Sequence, residues 1–347
     1  MADAIARAVQ VGGTFDSHPD ELHRVPTADG ASIALARYQP RDVRRFVEPV
    51  ILCHGLGANR LILDLDDKYS LARYLARAGF ETWVMELRGR GLAGPPLDAT
   101  FDAQAEHDVG AALKAVLAAG HREVTWVGHS KGGLVLYAHL AKFPKAPVKA
   151  AVIMGSPATF AVQPGLKRFV RTLGPLLKMA SVPASRLGAL SLIGGPPPGP
   201  ITKYLIREEN VDVEVARRTL AAVASDIPGG VARQFADWVN TGRFCTVDGG
   251  YDYRLGMEGI RIPMLLMAGS QDYLAPPLAV ARAKDHLKGP IKWVVAGKAH
   301  GFAEDYGHSD LVIGRKAPEE IFPLVASYLA AQSTAVGRPS GVLLSTG

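Results

Sequence analysis

Ser130, in Gly128-His129-Ser130-Lys131-Gly132, has the surroundings of a nucleophile held in a sharp turn. The apolar run EVTWV precedes it and an apolar helical pattern follows it. Small residues around such a serine let a strand turn abruptly into a helix, which strains the backbone and exposes the hydroxyl. The N–H groups at the start of that helix would face incoming negative charge. The motif is short enough to arise by chance, so its weight depends on partners elsewhere. An oxyanion site is one such partner. PVILC runs into His54-Gly55-Leu56-Gly57-Ala58, and the N–H of Leu56 and that of Lys131 are the candidate donors. Alone, His54-Gly55 would read as a strand-ending turn. The carboxylate partner follows a later strand, where PMLLMAG leads to Asp272 just ahead of Pro276-Pro277. Asp272 alone would be an ordinary turn or cap residue. For a base, the stretch after IKWVVAG offers both His300 and His308, and spacing does not separate them. His129 reads as packing and His107 as an exposed helix residue.

Positioning these groups requires alternating elements. The segments 32–39, 49–53, 81–87, 123–128, 148–154, 263–269 and 291–297 are short and rich in Val, Ile, Leu and Trp, which predicts strands. Several are apolar throughout, as strands covered on both faces are. Helical patterns occupy 68–78, 103–119, 131–143, 276–287 and 318–331. Alternation of this kind predicts an α/β fold with a mostly parallel central sheet flanked by helices. The rhythm breaks over 156–260, a stretch too long for a loop and lacking a convincing strand ladder, which predicts an inserted helical cap. The core is then 1–155 with 261–332, and 333–347 is a tail. Within the cap, 166–177 carries a leucine-rich stripe that suits an acyl-pocket lid, a membrane-surface helix or, the favoured reading, a helix packed on the core.

Composition excludes several classes. The net charge is +6, but the basic residues are scattered among acids, so no nucleic-acid partner is expected. No apolar run is long enough to insert stably in a membrane. Cys53 and Cys245 are too few for a disulfide framework, and MADAIARAVQVGG lacks the pattern of a secretory signal. A cytoplasmic location is the expectation. No metal and no organic cofactor is called for, and oligomeric state is not legible.

The candidates occur in the chain order Ser, Asp, His, which is that of the α/β-hydrolase triad. Four segments resemble the acid (lysosomal and gastric) lipases within that superfamily: HPDELHRVPTADGASIALARYQP, ILCHGLGANR with WVGHSKGG, FADWVNTGRFCTVDGG, and GHSDLVIGRKAPEEIFPLV. The resemblance spans most of 18–330 and is thin across 157–205. It implies an α/β-hydrolase fold with Ser130 as nucleophile, Asp272 as acid and His308 rather than His300 as base. Lys131 departs from the family, which commonly has Gln there, and NTG at 240–242 is not a glycosylation acceptor. The expected activity is hydrolysis of small esters with an apolar acyl group. The alternatives are an acyltransferase with the same triad, or a ligand-binding protein on a hydrolase scaffold.

Overall fold

The computed structural model describes residues 17–89, 91–94, 99–160, 167, 181–182 and 202–337. Eight strands form the central sheet: β1 Glu21–Pro26, β2 Ser32–Tyr38, β3 Val50–Cys53, β4 Thr82–Glu86, β5 Val124–His129, β6 Val148–Met154, β7 Met264–Gly269 and β8 Ile291–Ala296. Their order across the sheet is β1-β2-β4-β3-β5-β6-β7-β8. β1 pairs antiparallel with β2, and β2 antiparallel with β4, while β3 to β8 run parallel. The expected mostly parallel sheet is therefore present. From β3 the chain moves outward to β4, then returns past β3 to β5. That reversal opens a crevice at the carboxyl ends of β3 and β5, where ligands bind in open α/β sheets.

Six helices of seven residues or more are described: α1 Leu71–Arg77, α2 Val109–Ala118, α3 Lys131–Lys142, α4 Val213–Ala222, α5 Gly229–Thr241 and α6 Ala317–Gln332. Successive strand residues point to opposite faces, and the core follows suit. Ile51 and Cys53 join Leu134, Leu136 and Val116 in one cluster, whereas Val50 and Leu52 join Leu71, Leu75, Ile321 and Phe322 in the other. Each such burial stabilises by about 1.5–3 kcal/mol, so covering both faces gives a rigid platform.

Three predicted helices differ from expectation. α1 starts only at Leu71, because the Ser70 side chain caps it by accepting from Arg73 N at 3.0 Å. The pattern at 103–119 is interrupted by a π-helical stretch, Gln104–Asp108, ahead of α2. Periodicity does not reveal it, because the residues it re-aims are held by tertiary partners: Asp108 by Arg88 and Gln104 by Lys131. The pattern at 276–287 is a short helix, Pro277–Ala281, followed by a 3-10 turn, Arg282–Asp285.

In the interrupted region, a two-residue antiparallel ribbon joins Ser181–Val182 to Ile227–Pro228, a pairing too short to show as alternation. The stripe at 166–177 lies outside the described residues, save the backbone position of 167. α5 ends at Gly242, whose φ of 72° suits a residue without a Cβ. Its Trp238 is walled by Phe101, Phe160 and Phe244 and donates through Nε1 to Cys245 O at 2.8 Å. The first residues of the expected tail are tied to the core, with Val47 N donating to Thr334 O at 2.9 Å. Both cysteines are free and buried. Among the described residues no helix is long and apolar enough to cross a membrane.

Candidate active site

Parallel register brings the loops after β3, β5, β6, β7 and β8 to one edge of the sheet, since Cys53 pairs with Gly128, His129 with Met154 and Met154 with Met267. Ser130 follows β5 directly, with φ 54° and ψ −119°. It is the only non-glycine with positive φ among the described residues, a conformation that costs about 1–3 kcal/mol and must be held by its surroundings. Ser130 N donates to Met154 O at 2.8 Å, and Ser130 O accepts from Gly133 N at 3.0 Å and from Ser156 Oγ at 2.7 Å.

The motif's glycines are required by close approach. A Cβ on Gly128 would lie 2.5 Å from Gly132 O, and one on Gly132 would overlap the Cys53 carbonyl. The start of α3 is thus pressed against the end of β3. On the other side, a Cβ on Gly55 would lie 3.1 Å from Ser130 Cβ and 3.5 Å from its Oγ. The His54–Ala58 turn therefore borders the serine side chain. Neighbouring His54 is buried and fixed, with Nδ1 donating to Gly55 O at 2.9 Å and Nε2 accepting from Leu87 N at 3.3 Å. Leu56 N donates to nothing among the described residues, and Lys131 N stands at the first position of α3.

Asp272 and His308 meet. Asp272 Oδ2 accepts from His308 Nδ1 at 2.7 Å, and both side chains are buried. Asp272 Oδ1 accepts from Leu274 N at 2.9 Å and Ala275 N at 2.7 Å, which fixes the carboxylate's orientation. Because Nδ1 carries the proton donated to Asp272, Nε2 is the ring nitrogen free to act as a base. A Cβ on Gly155, after β6, would stand 3.3 Å from both Asp272 Oδ2 and His308 Nδ1, so this glycine makes room for the pair. His300 sits exposed on a short turn, Lys298–His300.

His129 packs beside His308, with ring centroids 5.0 Å apart, and its Nε2 donates to His308 O at 3.0 Å. Burial foremost, and His308 next, push its pKa down to about 3, and its Nδ1 is buried without a partner. His129 is therefore a neutral residue holding the His308 backbone. Burial pushes the Asp108 carboxyl up to about 6 against the opposing pull of Arg88, and it pushes the Cys53 thiol up to about 12, which leaves that thiol inert.

A cavity is lined by both candidate oxyanion residues, Leu56 and Lys131, together with His54, Arg88, Gln104 and Asp226. Apolar residues, including Leu87 and Ile227, complete its wall.

Sequence reasoning missed Gly155, Gln104 and the residues that hold the His308 loop. Asp310, two residues after His308, is buried and accepts from Gly307 N at 2.9 Å, Arg207 N at 3.1 Å and Asn210 Nδ2 at 3.0 Å. Asn210 Nδ2 also donates to Asp305 O at 2.7 Å, and Ser309 N to Leu205 O at 2.8 Å. The returning segment of the 156–260 region is thereby tied to the histidine loop. An H-x-D spacing was visible in the sequence, but its acceptors and donors lie about a hundred residues apart.

A model for the α/β hydrolase fold matches residues 48–177. Lipase 3 of Drosophila melanogaster is 24% identical over 367 residues, covering 88% of this chain and 89% of its own. The gastric triacylglycerol lipase of Bos taurus is also 24% identical, covering 91% and 89%. The PhaC subunit of the poly(3-hydroxyalkanoate) polymerase of Haloferax mediterranei is 21% identical, covering 87% of this chain and 62% of its own. Among solved structures, an esterase from Exiguobacterium antarcticum superposes with a TM-score of 0.62 at 19% identity, covering 88% of this chain and 98% of its own.

Proposed function

We propose that this chain, which has the α/β-hydrolase fold and resembles lipases, is a serine carboxylic-ester hydrolase working through Ser130, His308 and Asp272. One observation carries the reading: the strained Ser130 turn and the buried Asp272–His308 pair lie at the same edge of the sheet, with Gly55 against the serine hydroxyl.

In this reading His308 Nε2 takes the Ser130 proton as Oγ attacks the ester carbonyl. Asp272, already bonded to Nδ1, stabilises the imidazolium that forms. The amides of Leu56 and Lys131 receive the developing oxyanion, and each such donor is worth about 3 kcal/mol in the transition state. His308 then protonates the leaving alcohol. A water deprotonated by His308 attacks the acyl-enzyme, which releases the acid and restores Ser130. Every step uses protein groups and water alone. His54 fixes the oxyanion turn, while Gly128 and Gly132 permit the elbow.

We read 156–260 as a cap over this site, since its described parts bond to both flanking loops: Ser225 N to Gly57 O at 2.8 Å, and Arg207 N to Asp310. The two free, buried cysteines support a reducing compartment such as the cytoplasm. The apolar walls Leu56, Ala58, Leu87 and Ile227 support an acyl group of largely apolar body. The polymerase relative keeps open a second reading, transfer of the acyl group to an acceptor other than water.

Turnover of p-nitrophenyl esters from acetyl to palmitoyl tests the reading. Ser130→Ala and His308→Ala should each lower kcat by about 10⁴-fold or more, with His300→Ala within about twofold of the parent. A dead His300→Ala with an active His308→Ala would move the base to the other histidine. Acyl transfer to added alcohol in preference to water would favour the second reading. An inert parent that a fluorophosphonate fails to label would remove catalysis altogether.

A further inference from the structure

The cavity beside the oxyanion donors contains a pair of polar side chains that the ester mechanism does not use. Lys131, the residue after the nucleophile, is buried, and its Nζ donates to Gln104 Oε1 at 2.9 Å. That bond fixes the Gln104 carboxamide, whose oxygen faces the ammonium and whose NH2 must point elsewhere. Gln104 is 1% exposed, lines the cavity, and its Nε2 makes no hydrogen bond among the described residues. With its oxygen taken by Lys131, Gln104 offers its N–H donors to an acceptor that arrives with the ligand. The π-helical stretch beginning at Gln104 is the backbone irregularity that accompanies this placement, a feature frequent at functional sites.

Two further observations define the ligand. None of the residues lining the cavity belongs to the Asp272 or His308 loops. The leaving alcohol must lie near His308 to be protonated, so the cavity serves the acyl side. The charges in it are matched: Arg88 is held by Asp29 and Asp108, and Asp226 contributes a further carboxylate to the wall. With no excess positive charge, a neutral oxygen suits the site better than a carboxylate.

We propose that Gln104, held by Lys131, forms a polar subsite that binds a keto, ether or hydroxyl oxygen in the acyl group. The preferred substrates are then esters of short oxygenated acids rather than of plain alkanoic acids. This inference rests on the ester-hydrolase reading above and narrows its substrate class.

The test compares matched esters that differ by one atom: p-nitrophenyl 3-methoxypropanoate against p-nitrophenyl pentanoate, each rate normalised to alkaline hydrolysis of the same ester. p-Nitrophenyl hemisuccinate serves as the anionic arm. The parent should favour the methoxy ester by about tenfold in kcat/KM, the worth of one hydrogen bond of about 1.4 kcal/mol, and should disfavour the hemisuccinate. Gln104→Glu keeps an acceptor for Lys131 but removes the N–H donor, and Gln104→Met removes both. In each, the methoxy-to-pentanoate ratio should fall to about one, a change of ratio that a loss of stability alone would not produce. A parent ratio of one or less, a hemisuccinate preference, or a ratio unchanged in both variants would overturn the subsite while leaving the hydrolase reading intact. A parent inert on all three esters would remove that reading, and the subsite with it.

Discussion

At Ser130 the chain is positioned by its own backbone, and at His308 by side chains gathered from distant segments. The serine is held by main-chain hydrogen bonds to Met154 and Gly133, and by glycines whose missing Cβ atoms let α3 press against β3. The histidine is held by Asp272, by the carboxylate of Asp310 and through it by Arg207 and Asn210, and by the ring of His129 on its carbonyl. The first arrangement tolerates almost no added atom, because backbone does not move aside. The second depends on many polar bonds, each replaceable at moderate cost. The nucleophile end should therefore fail all at once and the base end by degrees.

Gly132→Ala should produce the largest effect. Its Cβ would overlap the Cys53 carbonyl, so at least about 4 kcal/mol of stability should be lost, or no folded protein recovered. Urea unfolding measures this, and a near-parental midpoint would show that the elbow yields more than backbone contact suggests.

Asp310→Ala comes next. It strands the Gly307 and Arg207 amides and one Asn210 bond, so a loss of about 3 kcal/mol is expected, with kcat falling and KM little changed. A variant destabilised to that extent but parental in kcat would break the link between this carboxylate and His308.

The smallest effect is a pH dependence carried by His129. Its folded pKa, about 3, lies below the unfolded value near 6.5, so below that value the unfolded chain binds a proton the folded one refuses. Stability from this group is complete above pH 6.5 and is lost as pH falls toward 3. Between pH 7.5 and 5 the parent should lose about 2 kcal/mol that His129→Gln does not. Identical slopes for the two proteins would mean that His129 is not held neutral.

What the sequence determined by itself was local. VKAAVIM at 148–154 is β6 residue for residue, and the other apolar runs fall within a residue or two of their strands. Backbone twist and burial on both faces leave such runs few alternatives. The elbow was legible for the same reason, since its requirement for small neighbours is written within five residues. The choice between His300 and His308 was not local, and residue spacing left it open until family resemblance favoured His308. The tertiary structure seats His308 against Asp272 and leaves His300 exposed. The π-helical stretch, the room made by Gly155 and the stitching of Asn210 to Asp310 were invisible for a related reason. Each depends on a partner far along the chain, and periodicity records which way a residue faces but not what it meets there.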